Sequence, residues 1–559
     1  MELSDSRFPR NSDCQLCQLN EMSGMPDIKE SNNIDVTPTI SYISEKQRNP
    51  YADNAPWIAT RSEREAGVDL KWAISPNQVL HATVNPDFSQ VETDEIQLNI
   101  NRTFSLFFPE TRPFFLDGAN FFSSNQPIIH SRNIAIPEYV VKYTNADQNN
   151  RSGLMVAKDT TTSFILPNNQ GSNVAVLDGI DSDVVVGRLQ HDMNERDNVS
   201  LSLTYRGAKD YRNIVTSVDG RYHLTNDDYF IFQTMFSDSK NPFEIRFRES
   251  GGQNPGEPAR LIEVLPAEQS DSASWVSYRR NKENYNLFVN YSDFGKDFRA
   301  DMGSINQVDY KNLTAGGNYI WYGEELDFWT EWDLSSNYSR TEDRQGNLLT
   351  ERKLLSFSSA GENLLSIQVS LEDQRRFFLD QYFNQITRSV SFGYNPSDNI
   401  SLSLSVSEGD QVDFENARLG EQVSVSSSVS MQMNQNLSIS VEGGYEILDV
   451  PGLQNQDIVR LFTAKTLDIR SVYQFNKESG LSLIVQWVSV DSFEGTEQDP
   501  NARSSFDELA SQLVYTYEIN PLSLLYVGYS ENAIKDDVLT SFEKTGKSLF
   551  LKFSYLWQY

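Results

Sequence analysis

Lys547-Ser548-Leu549-Phe550-Leu551-Lys552-Phe553-Ser554-Tyr555-Leu556-Trp557-Gln558-Tyr559 closes the chain. In an extended strand, successive side chains point to opposite faces. Leu549, Leu551, Phe553, Tyr555, Trp557 and Tyr559 then share one face and Lys552, Ser554 and Gln558 the other, with Phe550 and Leu556 as exceptions. A wholly apolar face backed by a polar one suits a strand with lipid on one side and a polar lumen on the other. A soluble edge strand also alternates, but it seldom carries an aromatic residue to the terminal carboxylate.

The pattern recurs upstream. Ile400, Leu402, Leu404 and Val406 alternate with Ser401, Ser403, Ser405 and Ser407; Val423, Val425, Val429 and Met431 with Ser424, Ser426, Ser428 and Ser430; Leu437, Ile439, Val441, Tyr445 and Ile447 with Ser438, Ser440, Glu442 and Glu446. Near the middle, Leu326, Phe328, Trp332 and Leu334 alternate with Asp327, Glu331 and Asp333. A β-sandwich would need Greek-key crossovers, and a propeller would show repeats of roughly 40 residues. Neither signal is present, and successive hairpins favour an up-and-down meander. The expected fold is all-β, a large transmembrane antiparallel barrel of about 24 strands, with roughly 22 and 26 as bounds. Phe553, Tyr555, Trp557 and Tyr559 resemble the signal read by the outer-membrane barrel-assembly machinery, which is therefore an expected partner.

Composition agrees. No stretch approaches the roughly 18 consecutive apolar residues of a membrane helix, and the mean hydropathy is −0.50. Barrel strands escape that test because only alternate residues meet lipid. The 25 Tyr, 32 Phe and 8 Trp suit interfacial girdles. With 78 acidic against 47 basic residues, the net charge of −31 excludes a nucleic-acid partner by repulsion. Outer-membrane lipid and lipopolysaccharide are the expected surroundings. The Asp178–Asp183 acidic run is a candidate for bridging to lipopolysaccharide through divalent cations, without the spacing of a specific calcium loop. Cys14 and Cys17 form a lone C-x-x-C with no second pair for a zinc ribbon. No metal or cofactor is expected. Met1 is not followed by a secretory leader, so the chain reads as the C-terminal part of a longer precursor or as a gene product whose start has been lost.

Turn signals set the sidedness. Compact turn chemistry recurs at 75–78, 147–150, 194–198, 225–228, 281–284, 322–325, 395–399, 434–436, 476–480 and 518–521. Longer polar links separate them, at 241–270, 297–307, 340–350 and 492–505. Short turns alternating with long loops places turns and both termini in the periplasm and loops outside. The last strand should then close against 34–45.

One segment breaks the rhythm. Phe104, Leu106, Phe107, Phe108, Phe114, Phe115, Leu116, Phe121 and Phe122 follow the third strand and are too apolar to leave in water. Residues 91–137 are expected either to fold back into the mouth or lumen as a plug or constriction, or to form extra strands with a corner at Pro109 to Pro113. Residues 1–33 then form an N-terminal linker and 34–559 the barrel.

Two motifs in this region, Asn85-Pro86-Asp87-Phe88-Ser89-Gln90-Val91-Glu92 and Phe107-Phe108-Pro109-Glu110-Thr111-Arg112-Pro113-Phe114-Phe115-Leu116-Asp117-Gly118, resemble a bacterial family of unknown function. In that family a family 9 carbohydrate-binding module precedes a large outer-membrane barrel domain. Asp117 stands where Glu is expected. The module itself is missing, so none of its sugar-binding residues can be carried over. The resemblance implies an outer-membrane location and handling of a saccharide ligand, and it supplies no reaction. The candidate lumen or plug residues are Asp87, Glu92, Phe108, Pro109, Glu110, Arg112, Pro113, Phe114, Phe115, Asp117 and Gly118. Arg112, between Glu110 and Asp117, suits a charge-assisted pair, the prolines stiffen the chain and Gly118 permits a sharp turn.

Three functions remain open. A channel or docking barrel would use acidic lumen residues such as Asp327, Glu331, Asp333, Glu442 and Glu446 to favour cations or neutral solutes. A glycan hydrolase would need two carboxylates at a set separation, drawn from Asp87, Glu92, Glu110 and Asp117. A scaffold would anchor a periplasmic or surface partner.

Overall fold

The computed structural model describes residues 34–52, 54–86, 94–177, 179–242, 265–324, 327–452, 457–493, 503–520 and 523–558. Cys14, Cys17, Asp87, Glu92, Asp178 and Tyr559 lie outside them.

Neighbouring strands pair antiparallel throughout. β1 (Ile34–Gln47) pairs with β2 (Ile58–Ser75), β2 with β3 (Gln78–Val84), and β3 with β4 (Pro137–Ala146). β5 (Asn150–Asp159) follows, then a separate hairpin of β6 (Thr162–Pro167) and β7 (Ser172–Leu177). The wall resumes with β8 (Ser182–Asp192), which pairs directly with β5, and continues through β9 (Asn198–Ala208), β10 (Tyr211–His223), β11 (Asp228–Lys240), β12 (Glu268–Asn281) and β13 (Tyr285–Phe294). Further hairpins run from Tyr310–Tyr322 to Glu543–Ser554. That last long strand pairs with β1, Thr39 opposite Ser554 through Gln47 opposite Gly546, and Trp557–Gln558 prolongs it against Val36 and Asp35. The result is a closed antiparallel barrel of 24 strands. Closure leaves no edge in the apolar layer, where an unpaired backbone group has no water to bond.

Every sequence-expected turn falls between two strands on one rim, the rim where both described chain ends also lie. One more turn on that rim, between Gly361 and Ser366, escaped the turn signals. There Asn363 and Leu364 adopt φ of 56° and 52°, a left-handed conformation that leucine seldom takes. The opposite rim carries the longer links, with short exceptions between Ala208 and Tyr211, Phe378 and Gln381, Asp413 and Arg418, and Glu342 and Leu348, the last being the 340–350 stretch expected as a long link and found to be mostly strand.

The last strand keeps its alternation. Leu549, Leu551, Phe553, Tyr555 and Trp557 are all exposed on the outer face, although the ladder breaks at Tyr555 and Leu556. Phe550 faces inward, where its ring covers Gly528 on the neighbouring strand: a Cβ there would meet the ring at 2.0 Å. Phe550 packs with Ile43, Val514 and Tyr526. Its departure from the pattern fills a gap in the lumenal layer.

Two inserts differ from expectation. The 297–307 link, expected as an outer loop, folds inward. Phe298, Ala300, Met302, Ile305 and Val308 are buried against Val215, Met235 and Ala273 on β10 to β12 and against residues of the Phe-rich segment. Its apolar spacing, hidden among polar residues, is the reason. The β6–β7 hairpin, unforeseen in the sequence, stacks Phe164 on Tyr211 of β10 at 5.4 Å between ring centroids. It joins the folded-in link through the Asn168–Gln307 bridge.

Candidate functional site: the filled lumen

The Phe-rich segment forms no extra strands. Among its described residues it contains one helical turn, Pro113–Leu116, and two 3-10 turns, Ala119–Phe121 and Ser131–Asn133. Pro113 opens the helical turn, where its fixed φ and missing N–H cost nothing. Gly118 follows at φ 68°, the left-handed turn that its missing Cβ makes easy.

This segment lies against the inner wall. Along β4, Val141 is exposed outward while Val140, Lys142 and Thr144 are buried on the alternate face. Lys142 Nζ donates to the carbonyl of Phe114 at 2.5 Å and to that of Asp117. Phe114, Phe115 and Phe122 bury against Val140, Met155, Ala157, Val184 and Val186 of β4, β5 and β8. Phe108 is half-buried and Pro109 exposed. Phe107 stays exposed, 4.9 Å from the His130 ring.

Arg112 organises the fold of the segment. Its Nε and Nη2 donate to the two Glu110 carboxylate oxygens at 2.8 and 2.7 Å, and Nη1 and Nη2 donate to the carbonyls of Ile134 and Ser131 at 2.7 Å. The guanidinium lies 4.3 Å from the Phe115 ring centroid. Ser131 Oγ donates to Glu110 at 2.6 Å. Burial pushes the Glu110 carboxyl up, but hydrogen bonding and charge from Arg112 outweigh it and hold the group below the usual carboxylate range. Asp117, expected beside Arg112, sits elsewhere. Its carboxylate pairs with Lys71 of β2 at 2.9 Å and His81 of β3 at 3.5 Å. The helical turn and Gly118 carry it to the far side of the motif. The His81 hydrogen bond, opposed by burial and aided by Lys71, holds Asp117 well below the usual range.

The start of the segment reaches a different part of the wall. The Asp94 carbonyl accepts from Arg470 at 3.4 Å and Gln486 at 3.0 Å, and its carboxylate pairs with Arg132. Leu98 and Ile100 pack on Leu448, Val450, Phe462 and Ala464, from strands Leu437–Pro451 and Ile458–Gln474. Asn101 clamps the chain at Val412 and Phe414, donating to one carbonyl at 2.8 Å and accepting from the other's N–H at 2.9 Å. Residues 94–101 thus strap the lumen to one wall, while 110–136 rest on another.

Beside the strap the lumen is hollow. One cavity of about 360 Å³ is lined by Glu331, Asp333, Gln368 and serines including Ser358, Ser391 and Ser403. A second, of about 330 Å³, shares Ser403 and is bounded by Ile96, Ser426, Ser428, Glu442 and Asp468. Among the described residues, no Lys or Arg lines either. Of the expected acidic lumen residues, Glu331, Asp333 and Glu442 face these cavities. Glu446 accepts from Gln422 at 2.5 Å. Asp327 is corrected: it is an exposed turn residue that accepts from the Glu324 N–H at 2.9 Å. Of the Asp178–Asp183 run, Asp181 and Asp183 are exposed, and no cluster suited to a metal ion occurs among the described residues.

Sequence reasoning missed the buried ion pairs. Arg206 of β9 and Asp159 of β5 meet at 2.8 Å, both 0% exposed. Arg206 also donates to the carbonyls of Asn133, Thr161 and Ser163 and to Ser182 Oγ, so one guanidinium joins wall, hairpin and segment. Arg188 and Asp219 form a bidentate pair at 2.6 and 2.7 Å. Arg299 and Asp301 of the folded-in link pair at 2.7 Å, and Asp301 accepts from the Tyr211 hydroxyl at 2.5 Å. Their signal was a charged residue at the inward position of a strand, or inside an apolar loop.

Fold and contents together define a large closed β-barrel whose lumen is partly filled by its own chain. A family model described as a domain of unknown function, DUF5916, matches residues 35–164. That stretch carries the motifs around Pro86 and Pro109. No curated protein matches the chain. Among solved structures, the ferric enterobactin receptor PfeA of Pseudomonas aeruginosa is 9% identical, covering 93% of this chain and 81% of its own, with a TM-score of 0.43. The FrpB iron transporter of Neisseria meningitidis is 10% identical, covering 94% and 83%, with a TM-score of 0.43. The outer-membrane expressed OmpT of Vibrio cholerae is 10% identical, covering 74% and 100%, with a TM-score of 0.24.

Proposed function

We propose that this chain is an outer-membrane barrel that admits or docks a small polar solute through the crevice between its internal strap and its serine-rich wall. The membrane location is supported by the outer surface. Leu334, Phe357, Val369, Val390 and Leu404 are exposed on neighbouring strands, an apolar belt too continuous for water. Toward the short-turn rim it ends in exposed aromatic residues, among them Tyr319, Trp321, Phe328, Tyr473, Phe475 and Tyr517, as an interfacial girdle does. The short-turn rim and both chain ends then face the periplasm.

The observation that carries the function is the pair of neighbouring cavities that share Ser403. Their hydroxyls and carboxylates, without a lining cation among the described residues, favour neutral or cationic solutes over anions. Planar-bilayer recording tests this. The expected result is a cation-selective conductance that becomes larger and loses selectivity when residues 91–125 are deleted. A sealed bilayer with both proteins, each inserted and folded, overturns it.

A further inference from the structure

The closing seam of the barrel carries cations on its outer face. On strand Glu543–Ser554, the outward residues Phe553, Leu551 and Leu549 are exposed, and the next outward position toward the long-loop rim is Lys547. On β1 the outward series runs through Ile40, Tyr42 and Ser44 to Lys46, which stands directly opposite Lys547. On β2 it runs from Trp72 through Leu70, Val68 and Ala66 to Arg64, which stands opposite Tyr42. Three adjacent strands thus place a cation where their apolar belt turns polar.

These cations differ from others on the outer face. Arg340 meets Glu342 at 2.6 Å, Lys353 meets Asp373 at 3.1 Å and Arg388 meets Glu408 at 3.3 Å. Among the described residues, no carboxylate forms an ion pair with Lys46, Arg64 or Lys547. The nearby acids are turned away or taken. Glu45, Glu63 and Glu65 surround Arg61 on the lumenal face. Glu543, at the rim, is held by Arg48 at 2.6 Å, and Glu531, which feels the charge of Lys547, is held by Lys544 at 2.7 Å. The three cations also lie near one another. Lys46 and Lys547 are register partners, and the charges of Lys46 and Arg64 both act on the Tyr42 hydroxyl. The Lys547 ammonium rests 4.3 Å from the Trp57 ring centroid, a contact that fixes its place at the border.

We propose that Lys46, Arg64 and Lys547 bind the phosphates of a bisphosphorylated outer-leaflet lipid, whose acyl chains lie on the surface of Ile40, Val68, Leu549 and Leu551 below. A guanidinium takes phosphate oxygens in two parallel hydrogen bonds, and an ammonium serves as a point charge. Lys46 and Lys547 share one level, while Arg64 lies four residues lower on the β1 register, roughly 13 Å along the strand. Two levels of positive charge suit two phosphates on one headgroup. The outward positions between them, Tyr42, Ser44 and Ser62, carry hydroxyls. Elsewhere a chain of net charge −31 repels such a lipid, so the seam selects where it binds. The proposal rests on the outer-membrane reading above and not on the solute crevice.

Native mass spectrometry of the full chain, refolded in a neutral detergent, tests this with bisphosphorylated lipid A, monophosphorylated lipid A and phosphatidylcholine as probes. The bisphosphorylated lipid is expected to be retained best, the monophosphorylated one about threefold less and phosphatidylcholine at least about tenfold less. Combining Lys46→Gln, Arg64→Gln and Lys547→Gln should weaken retention of the bisphosphorylated lipid by about tenfold. Lys353→Gln and Arg388→Gln, which remove outward cations that have carboxylate partners, should leave it unchanged. Retention unaffected by the triple variant, or phosphatidylcholine held equally well, overturns the site. Equal retention of the two forms of lipid A overturns the two-phosphate assignment. Displacement of the lipid by inorganic phosphate at constant ionic strength overturns the lipid assignment. A chain with no heat-modifiable compact form in detergent fails the membrane reading itself, whereas a heat-modifiable barrel whose lipid binding ignores the three cations fails this proposal alone.

Discussion

Arg206 and Asp159 are the residues whose loss should be felt most. Both are fully buried, and removing one partner leaves the other charge without compensation, at about 3–5 kcal/mol. Arg206→Ala is expected to lower the unfolding free energy of the refolded barrel by that amount, while adding Asp159→Asn, which removes the stranded charge and still accepts from the Ala135 and Ile136 N–H groups, should recover part of it; a double variant no better than the single one contradicts this account. Asp117 gives a pH dependence of known sign. Its folded pKa is depressed, so its contribution is full above the ordinary aspartate value of about 4 and is lost as pH falls below it. The protection of the amides of residues 114–118 against hydrogen exchange, relative to their intrinsic rates at each pH, should hold steady from pH 7 to about 4 and fall below. Asp117→Asn should remove that step. At this scale the sequence was partly legible. Glu110 and Arg112 are near enough in the chain to be read as a pair. Asp117 was misassigned because its partners, Lys71 and His81, lie 46 and 36 positions away and only the wall register brings them near.

Among the elements, the last long strand binds the molecule into a ring. Phe550 seals its inner face over Gly528, and Phe550→Ala should cost roughly 3 kcal/mol, seen as a lower temperature for the heat-induced shift on a semi-native gel. Truncation before Glu543 should abolish the compact fast-migrating form, since β1 and strand Ser523–Asp536 would keep open edges prone to pairing with other chains. A compact truncated form would show that closure does not depend on this strand. The strands themselves were legible because one face must be apolar and the serine-rich alternate face could not be. The folded-in link and the β6–β7 hairpin were not legible. Their burial is set by contacts with β10 to β12, far along the chain, and such contacts leave no period in the sequence.

Taken whole, the molecule separates its charge by location. Acidic residues line the crevice, paired arginines stitch the inserts to the wall, and the outer belt is apolar. A net charge of −31 adds a field that concentrates cations near the mouth and is screened beyond roughly 8 Å at physiological salt. Cation selectivity should therefore fall as salt rises from 0.1 to 1 M, where the screening length shrinks to about 3 Å. Selectivity that does not change with salt would place its origin in contact-distance groups alone.

The way the Phe-rich segment joins the wall has a consequence for the length it can take. Val84 pairs with Tyr139, and the Asn85 N–H donates to the Glu138 carbonyl at 2.7 Å, so the segment leaves and re-enters at one point. With its ends already adjacent, lengthening or shortening it costs only a slowly growing closure entropy and shifts no strand register. Changes in the length of the filling are thus absorbed between Val84 and Pro137, and the wall on either side keeps its pairing.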